Sequence, residues 1–462
     1  QGLYAADVVQ YYGDNVPNFT QGEWNNVAKS LPDYAYDVAS KDAVLNMSVV
    51  DGRIFLPDGM NYKVLVLPDV AWMDYFLLQK ISTLVKDGAT IIGSRPKRIS
   101  GVPNFPTADA NVDAESKRVV DELWGADVSV TKIRRVGKGR VVCGMTATDI
   151  LRNDNLLPDV KRLRGSLPDG QHRIKWIHRT LHNDSIVGGK LSDFSPIKFA
   201  LTPKTTPQLA MNNTNRTEIY FVANLVAKPD KTEIAFRVTQ KQPEIWDAVS
   251  GTIADAKSFR QENGQTIVPL ELAASGSVFV VFRKPIASGA NGVDGDNSIR
   301  FEGERILDGD WKVKFDSGRG ISVPVIFTQL IDWTKHADER IKYYSGAAVY
   351  QKEFSYKKSA ADERVYLELD LVREMARVRI NGKEICTLWA RPFRVDVTES
   401  IREGNNIVEL EVVNHWANRI IGDAKLPESQ RQTQTNIRRL TAKTPLVESG
   451  LIGNVKLKIS RP

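Results

Sequence analysis

A chain of 462 residues has room for about three domains, and its cores need no covalent staple. Its 63 basic and 56 acidic side chains leave a net charge of +7 with the two signs interleaved, which argues against the continuous basic stripe of a nucleic-acid face. A hydrophobic share of 42% argues against global disorder, and no apolar run approaches the roughly 18 residues of a membrane span.

The chain opens at Gln1-Gly2-Leu3 with neither an initiator Met nor a signal peptide, as a processed product or a fragment would. Residues 1–155 alternate strand and helix signals. Ala6 to Tyr12 reads as a strand. Lys63 to Pro68 is a short, continuous apolar run, the pattern of a strand covered on both faces. Asp74 to Lys86 follows with Leu77, Ile81, Leu84 and Val85 at helical spacing and Gly88 at the C-cap position. Ala89 to Gly93 is the next strand, so a βαβ unit and a parallel sheet are expected. A helix over Ala114 to Trp124 leads to a strand at Gly139 to Gly144. The whole reads as an open, doubly wound α/β domain.

From 156 the periodicity changes. Short alternating strands at 218–222, 233–239, 265–270 and 277–282 predict an antiparallel β-sandwich over 156–287, with a polar loop at 203–216. Small residues mark a linker at 288–298. Asp294 and Asp296 there lack the rest of a calcium-loop pattern. Residues 299–462 are strand-dense again. Arg364 to Leu369 and Asn406 to Val413 alternate, and Asn381-Gly382 is a type I′ hairpin signal. A second β-sandwich of jelly-roll type is expected there.

No self-contained catalytic signature is present: no G-x-S-x-G, H-E-x-x-H, C-x-x-C or Walker loop, and no G-x-G-x-x-G after the first strand. Gly137-Lys138-Gly139-Arg140 reads as a hairpin turn. The two cysteines, Cys143 and Cys386, stand far apart, with neither a disulfide framework nor metal-ligand spacing. Of the five histidines, His172, His178 and His182 cluster. If Arg173 to Arg179 is a strand, Trp176 and His178 share a face. Trp389 and Trp416 lie beside arginines and asparagines, a setting suited to stacking a pyranose face and bonding its hydroxyls.

A run of segments then becomes familiar. Asp51 to Pro68 (DGRIFLPDGMNYKVLVLP), Trp176-Ile177-His178-Arg179, Ile219 to Asn224, Gln242 to Trp246, Gly276 to Phe282, Tyr343 to Tyr350 and Asn414 to Asp423 resemble, in order, segments of glycoside hydrolase family 106. Residues 183–217 separate two of them more widely than the family pattern. Members of that family are α-L-rhamnosidases that act with inversion, using glutamates and an associated calcium in an N-terminal (β/α)8 barrel. The resemblance therefore implies a C-terminal portion that follows the catalytic barrel: a flavodoxin-like domain, a β-sandwich, and a jelly roll resembling the galactose-binding-like domain of family 2 hydrolases. No catalytic or metal-binding residue is carried over. Calcium is expected only with the missing catalytic domain, and this chain is expected to hold no cofactor.

The substrate-binding candidates are His178, Arg179, Trp389, Trp416, Asn418 and Arg419. The expected partners are a rhamnose-containing glycan of plant or algal polysaccharide and the upstream barrel of the same protein. The expected location is the periplasm or the exterior of a bacterium. The alternatives are a non-catalytic carbohydrate-binding module and a scaffold, with the α/β domain serving oligomer contacts.

Overall fold

The computed structural model describes residues 2–13, 31, 33–69, 72–100, 110–125, 132–168, 173–182, 216–295, 297–316, 318, 320–436 and 439–461. His172 and the expected polar loop lie outside these, except that Arg216 already begins a strand.

Five parallel strands lie side by side in the order Tyr36–Ala39, Val8–Tyr11, Val64–Val66, Thr90–Ile92 and Gly139–Cys143. Lys132–Val136 closes one edge in the antiparallel sense. By chain order the parallel strands run 2-1-3-4-5. Register puts Val9, Leu65, Ile91 and Val141 in one row, packed against the helices Tyr75–Asp87 and Ala110–Trp124. Their neighbours Val8, Val64, Ile92 and Val142 pack with Ile150 and Leu151 of the helix Ala147–Asn153 on the other face. Burial on both faces is why these strands read as unbroken apolar runs.

Tyr75–Asp87 starts where the Asp74 carboxylate accepts from the Leu77 amide at 3.1 Å, and ends at Gly88, whose φ of 126° few side chains tolerate. Its five large buried apolar side chains, Leu77, Leu78, Ile81, Leu84 and Val85, each contribute about 1.5–3 kcal/mol relative to exposure. The turn before Gly139 is closely packed: a Cβ on Gly139 would stand 2.3 Å from the Ala89 carbonyl oxygen.

The next region is a two-sheet sandwich. Ile174–His182, Arg216–Asn224, Ser277–Pro285, Lys241–Asp247 and Thr252–Asp255 form one sheet. Val160–Gly165, Asp230–Phe236, Gln265–Leu272 and Arg260–Glu262 form the other. Tyr220, Val222, Phe236, Val268, Val280 and Phe282 fill the space between them. Leu3–Tyr4 adds to the edge of the first sheet rather than to the parallel sheet that follows it in the chain.

The described residues of the linker expected at 288–298, which exclude Asp296, form no helix or strand, yet they are pinned to the sandwich. Gly292 and Val293 donate to the Phe259 and Lys257 carbonyls, and the Asn297 amide bonds both Ser258 and Pro269.

The last region is a second sandwich. Ala347–Tyr356 and Gly404–Val413 are central in a six-stranded sheet that faces four strands led by Arg364–Arg373 and Gly450–Ser460. Trp311, Phe315, Trp333, Tyr344 and Tyr350 form its aromatic centre. The predicted hairpin is present: Asn381 and Gly382 have φ of 53° and 80°, as a type I′ turn requires.

Candidate functional site

A cleft of about 480 Å³ opens between the N-terminal edge of the parallel sheet and one end of the first sandwich. Register assembles its charged floor. His178 lies directly opposite Tyr220, and its ring stacks on the phenol at 3.9 Å. Glu218 stands two residues before Tyr220 and therefore on the same face. On the facing sheet Val160 pairs with Phe236, so Asp159 and Arg237 sit side by side just beyond those strands, joined by a backbone hydrogen bond of 2.9 Å.

These residues form a chain of charges. His178 holds Nδ1 3.0 Å from Asp159 and Nε2 3.0 Å from Glu218, with the ring only 7% exposed. Tyr220 donates its hydroxyl to Asp159 at 3.2 Å. Arg237 lies 3.5 Å from Asp159 and 2.9 Å from both oxygens of Asp7, the residue just before the first parallel strand. Burial disfavours a charged His178, but the two carboxylates outweigh it and push the ring up to about 9. Burial likewise works against Asp159 and Glu218 as anions, and His178 overcomes it, holding both below the usual carboxylate range. Asp7 is raised, because burial there exceeds the pull of Arg237.

At neutral pH His178 is thus an imidazolium clamped between two carboxylates. It is unsuited to accept a proton, and the two acids are unsuited to donate one. The floor is a charge-paired joint. Among the described residues no group of three or more His, Cys, Asp or Glu is placed to hold a metal ion.

The other sequence candidates divide sharply. Arg179 points out of the opposite face, bonded to the Gly2 carbonyl at 3.1 Å and lying over the Tyr4 ring. Asn418 is 1% exposed. Its amide donates to the Val447 carbonyl at 2.6 Å and to Ser449 Oγ at 2.9 Å, and its oxygen accepts from the Val447 amide. Arg419 is buried in an ion pair with Asp423 at 3.0 Å. Asp423 in turn accepts from Gln432 and Thr433. The structure thus sets Asn418 and Arg419, expected to bond sugar hydroxyls, in buried contacts with Val447, Ser449 and Asp423.

Trp389 and Trp416 are 61% and 60% exposed. Register sets both at one end of the six-stranded sheet, flanking Met375: Ala376 pairs with Leu388, the residue before Trp389, and Met375 pairs with Val413, three residues before Trp416. His415, 3.3 Å from Glu374, belongs to the same rim.

Sequence reading missed Asp7, Asp159, Glu218 and Arg237. The alternation Glu218-x-Tyr220 opposite His178 was a usable signal for Glu218. Asp7, Asp159 and Arg237 meet through tertiary packing that no local pattern marks.

Comparison with known proteins shows the chain to be glycoside hydrolase-like. Residues 1–187 match the family model described as alpha-L-rhamnosidase, and residues 329–445 match the galactose-binding domain-like model of glycosyl hydrolase family 2. The solved rhamnosidase from Novosphingobium sp. PP1Y superposes with a TM-score of 0.77 at 30% identity, over 99% of this chain and 39% of that one. A curated protein of Formosa agariphila named "Putative beta-glucuronidase" is 24% identical over 99% of this chain and 56% of its own length. These matches support a place in glycoside hydrolase family 106. The chain spans well under two thirds of both relatives.

Proposed function

We propose that this chain is the accessory C-terminal part of an inverting glycoside hydrolase that releases terminal α-L-rhamnose from plant or algal polysaccharides, and that the catalytic barrel lies on other polypeptide. The observation that carries this reading is the alignment of nearly the whole chain with little more than a third of a rhamnosidase. An inverting pair needs one acid that donates and one carboxylate that activates water, about 6.5–9.5 Å apart. Asp159 and Glu218 in the cleft are both committed to His178.

In this reading the first domain is flavodoxin-like, as its 2-1-3-4-5 strand order supports, and the last is a jelly roll. Calcium belongs with the barrel, and the protein works in the periplasm or outside a bacterial cell. The test is proton NMR of a longer polypeptide that includes this chain, acting on an aryl α-L-rhamnoside. β-L-rhamnose should appear first. Release of the α-anomer first, or no release, would overturn the activity assigned.

A second reading, capture of glycan by the last domain without chemistry, is favoured by the exposed Trp389 and Trp416. Indole rings in water at the rim of a well-packed sandwich are poor economy for stability, and they suit the apolar face of a pyranose.

A further inference from the structure

The cleft carries two cations that its charge-paired floor does not use. Arg53 opens the strand Arg53–Phe55, and Lys63 immediately precedes the second parallel-sheet strand in the cleft wall, Val64–Val66. Among the described residues the Arg53 side chain makes one hydrogen bond, from Nε to Asn61 Oδ1 at 2.5 Å, and Lys63 Nζ has neither an ion pair nor a hydrogen bond. Of the acids lining the cleft, Asp7 is engaged by Arg237, and Asp159 and Glu218 by His178; Asp51, exposed at the cleft's edge, is the remaining carboxylate, and it pairs with neither Arg53 nor Lys63 among the described residues.

Both cations are uncomfortable as they stand. Burial, opposed by Asp7 and reinforced by Arg237 and Arg216, draws Arg53 down to about 10. Burial, followed by repulsion from Arg53, lowers Lys63. Desolvated like charges that face one cavity are stabilised by an anion placed between them. An Arg fork beside a Lys point charge matches an oxyanion in particular. The volume, about 480 Å³, falls within the roughly 300–1,000 Å³ of small-molecule sites, so more than a bare ion fits.

We infer that the cleft between the parallel sheet and the first sandwich is a binding site for an acidic sugar, whose carboxylate or sulfate ester is held by Arg53 and Lys63. The anion half of this inference stands on the cleft alone; the sugar half rests on the glycosidase reading.

Isothermal titration of the 462-residue chain with D-glucuronate, galactose 6-sulfate, L-rhamnose, acetate and sulfate tests it. At least one acidic sugar should saturate, tenfold or more tighter than acetate or sulfate and than neutral rhamnose. Lys63→Met, at a half-buried site without partners, should keep the melting temperature and weaken binding at least tenfold. Arg53→Gln should do the same if it folds. Absence of saturable heat with both acidic sugars, or unchanged affinity in the Lys63 variant, overturns the site. Equal affinity for acetate or sulfate overturns the sugar half, and equal affinity for rhamnose overturns the anion half. None of these outcomes touches rhamnoside hydrolysis, so this inference and the proposed activity fail separately.

Discussion

Arg237 Nη2 lies 2.9 Å from both carboxylate oxygens of Asp7, a residue 230 positions earlier in the chain. That contact joins the end of a sandwich strand to the start of the parallel sheet, and both side chains are largely withdrawn from water. A buried pair gains little over a well-packed apolar contact, but breaking one leaves an uncompensated charge. Arg237→Ala is expected to cost about 3–5 kcal/mol in urea unfolding, and Asp7→Asn less, since Asp7 already holds its proton more tightly than usual. Equal, small effects from both would show that the joint bears no load.

The His178 cluster predicts a pH profile. Its folded value, about 9, exceeds its unfolded 6.5, so its contribution is complete below about pH 6.5 and is lost as pH rises through 9. The size is on the order of 3 kcal/mol. Asp159 and Glu218 are lowered, so theirs is present above about pH 4.5 and lost as pH falls; raised Asp7 offsets part of that loss. Melting curves should show greatest stability between about pH 4.5 and 6.5. His178→Gln should remove the alkaline decline. A wild-type curve flat from pH 6.5 to 9 would contradict the clamp.

The hairpin at Asn381-Gly382 separates two causes of stability. Gly382 supplies only a positive φ, so Gly382→Ala should cost about 1 kcal/mol. The Asn381 side chain also bonds Ser400, Asn406 and Ile407, so Asn381→Ala should cost more, about 2–3 kcal/mol. Chemical denaturation of the two variants reads the order directly.

The last domain predicts opposite behaviour from neighbouring residues. Trp389→Ala and Trp416→Ala should change stability by less than about 0.5 kcal/mol and weaken retention on rhamnose-containing polysaccharide in affinity electrophoresis. Asn418→Ala should cost about 1–3 kcal/mol, because it strands buried partners at Val447 and Ser449. Its effect on retention should follow its loss of fold. Unaltered retention in both tryptophan variants would remove the aromatic rim from the account.

What could be read without coordinates follows from range. The parallel strands, the helix from Tyr75 and its Gly88 cap, and the 381–382 hairpin are written in residues within a few positions of one another, and all are present. His178 was legible as a strand residue on the Trp176 face, but its partners were not. Asp159 and Glu218 come to it from 19 and 40 positions away, along two different sheets. The burial of Asn418 and Arg419 was not legible, because polar residues beside an exposed Trp look the same in sequence whether they bond a ligand or their own fold. The small-residue composition at 288–298 likewise did not reveal that Asn297 and Gly292 find partners on the sandwich.

The most direct test of the accessory role is hydrolysis of 4-nitrophenyl α-L-rhamnoside by the purified 462-residue chain beside a longer polypeptide that contains it. Release of nitrophenol should be confined to the longer protein, with the shorter one at the level of buffer. Sustained turnover by these 462 residues alone would contradict the account, and would mean that a donor acid and a water-activating carboxylate lie within this chain after all.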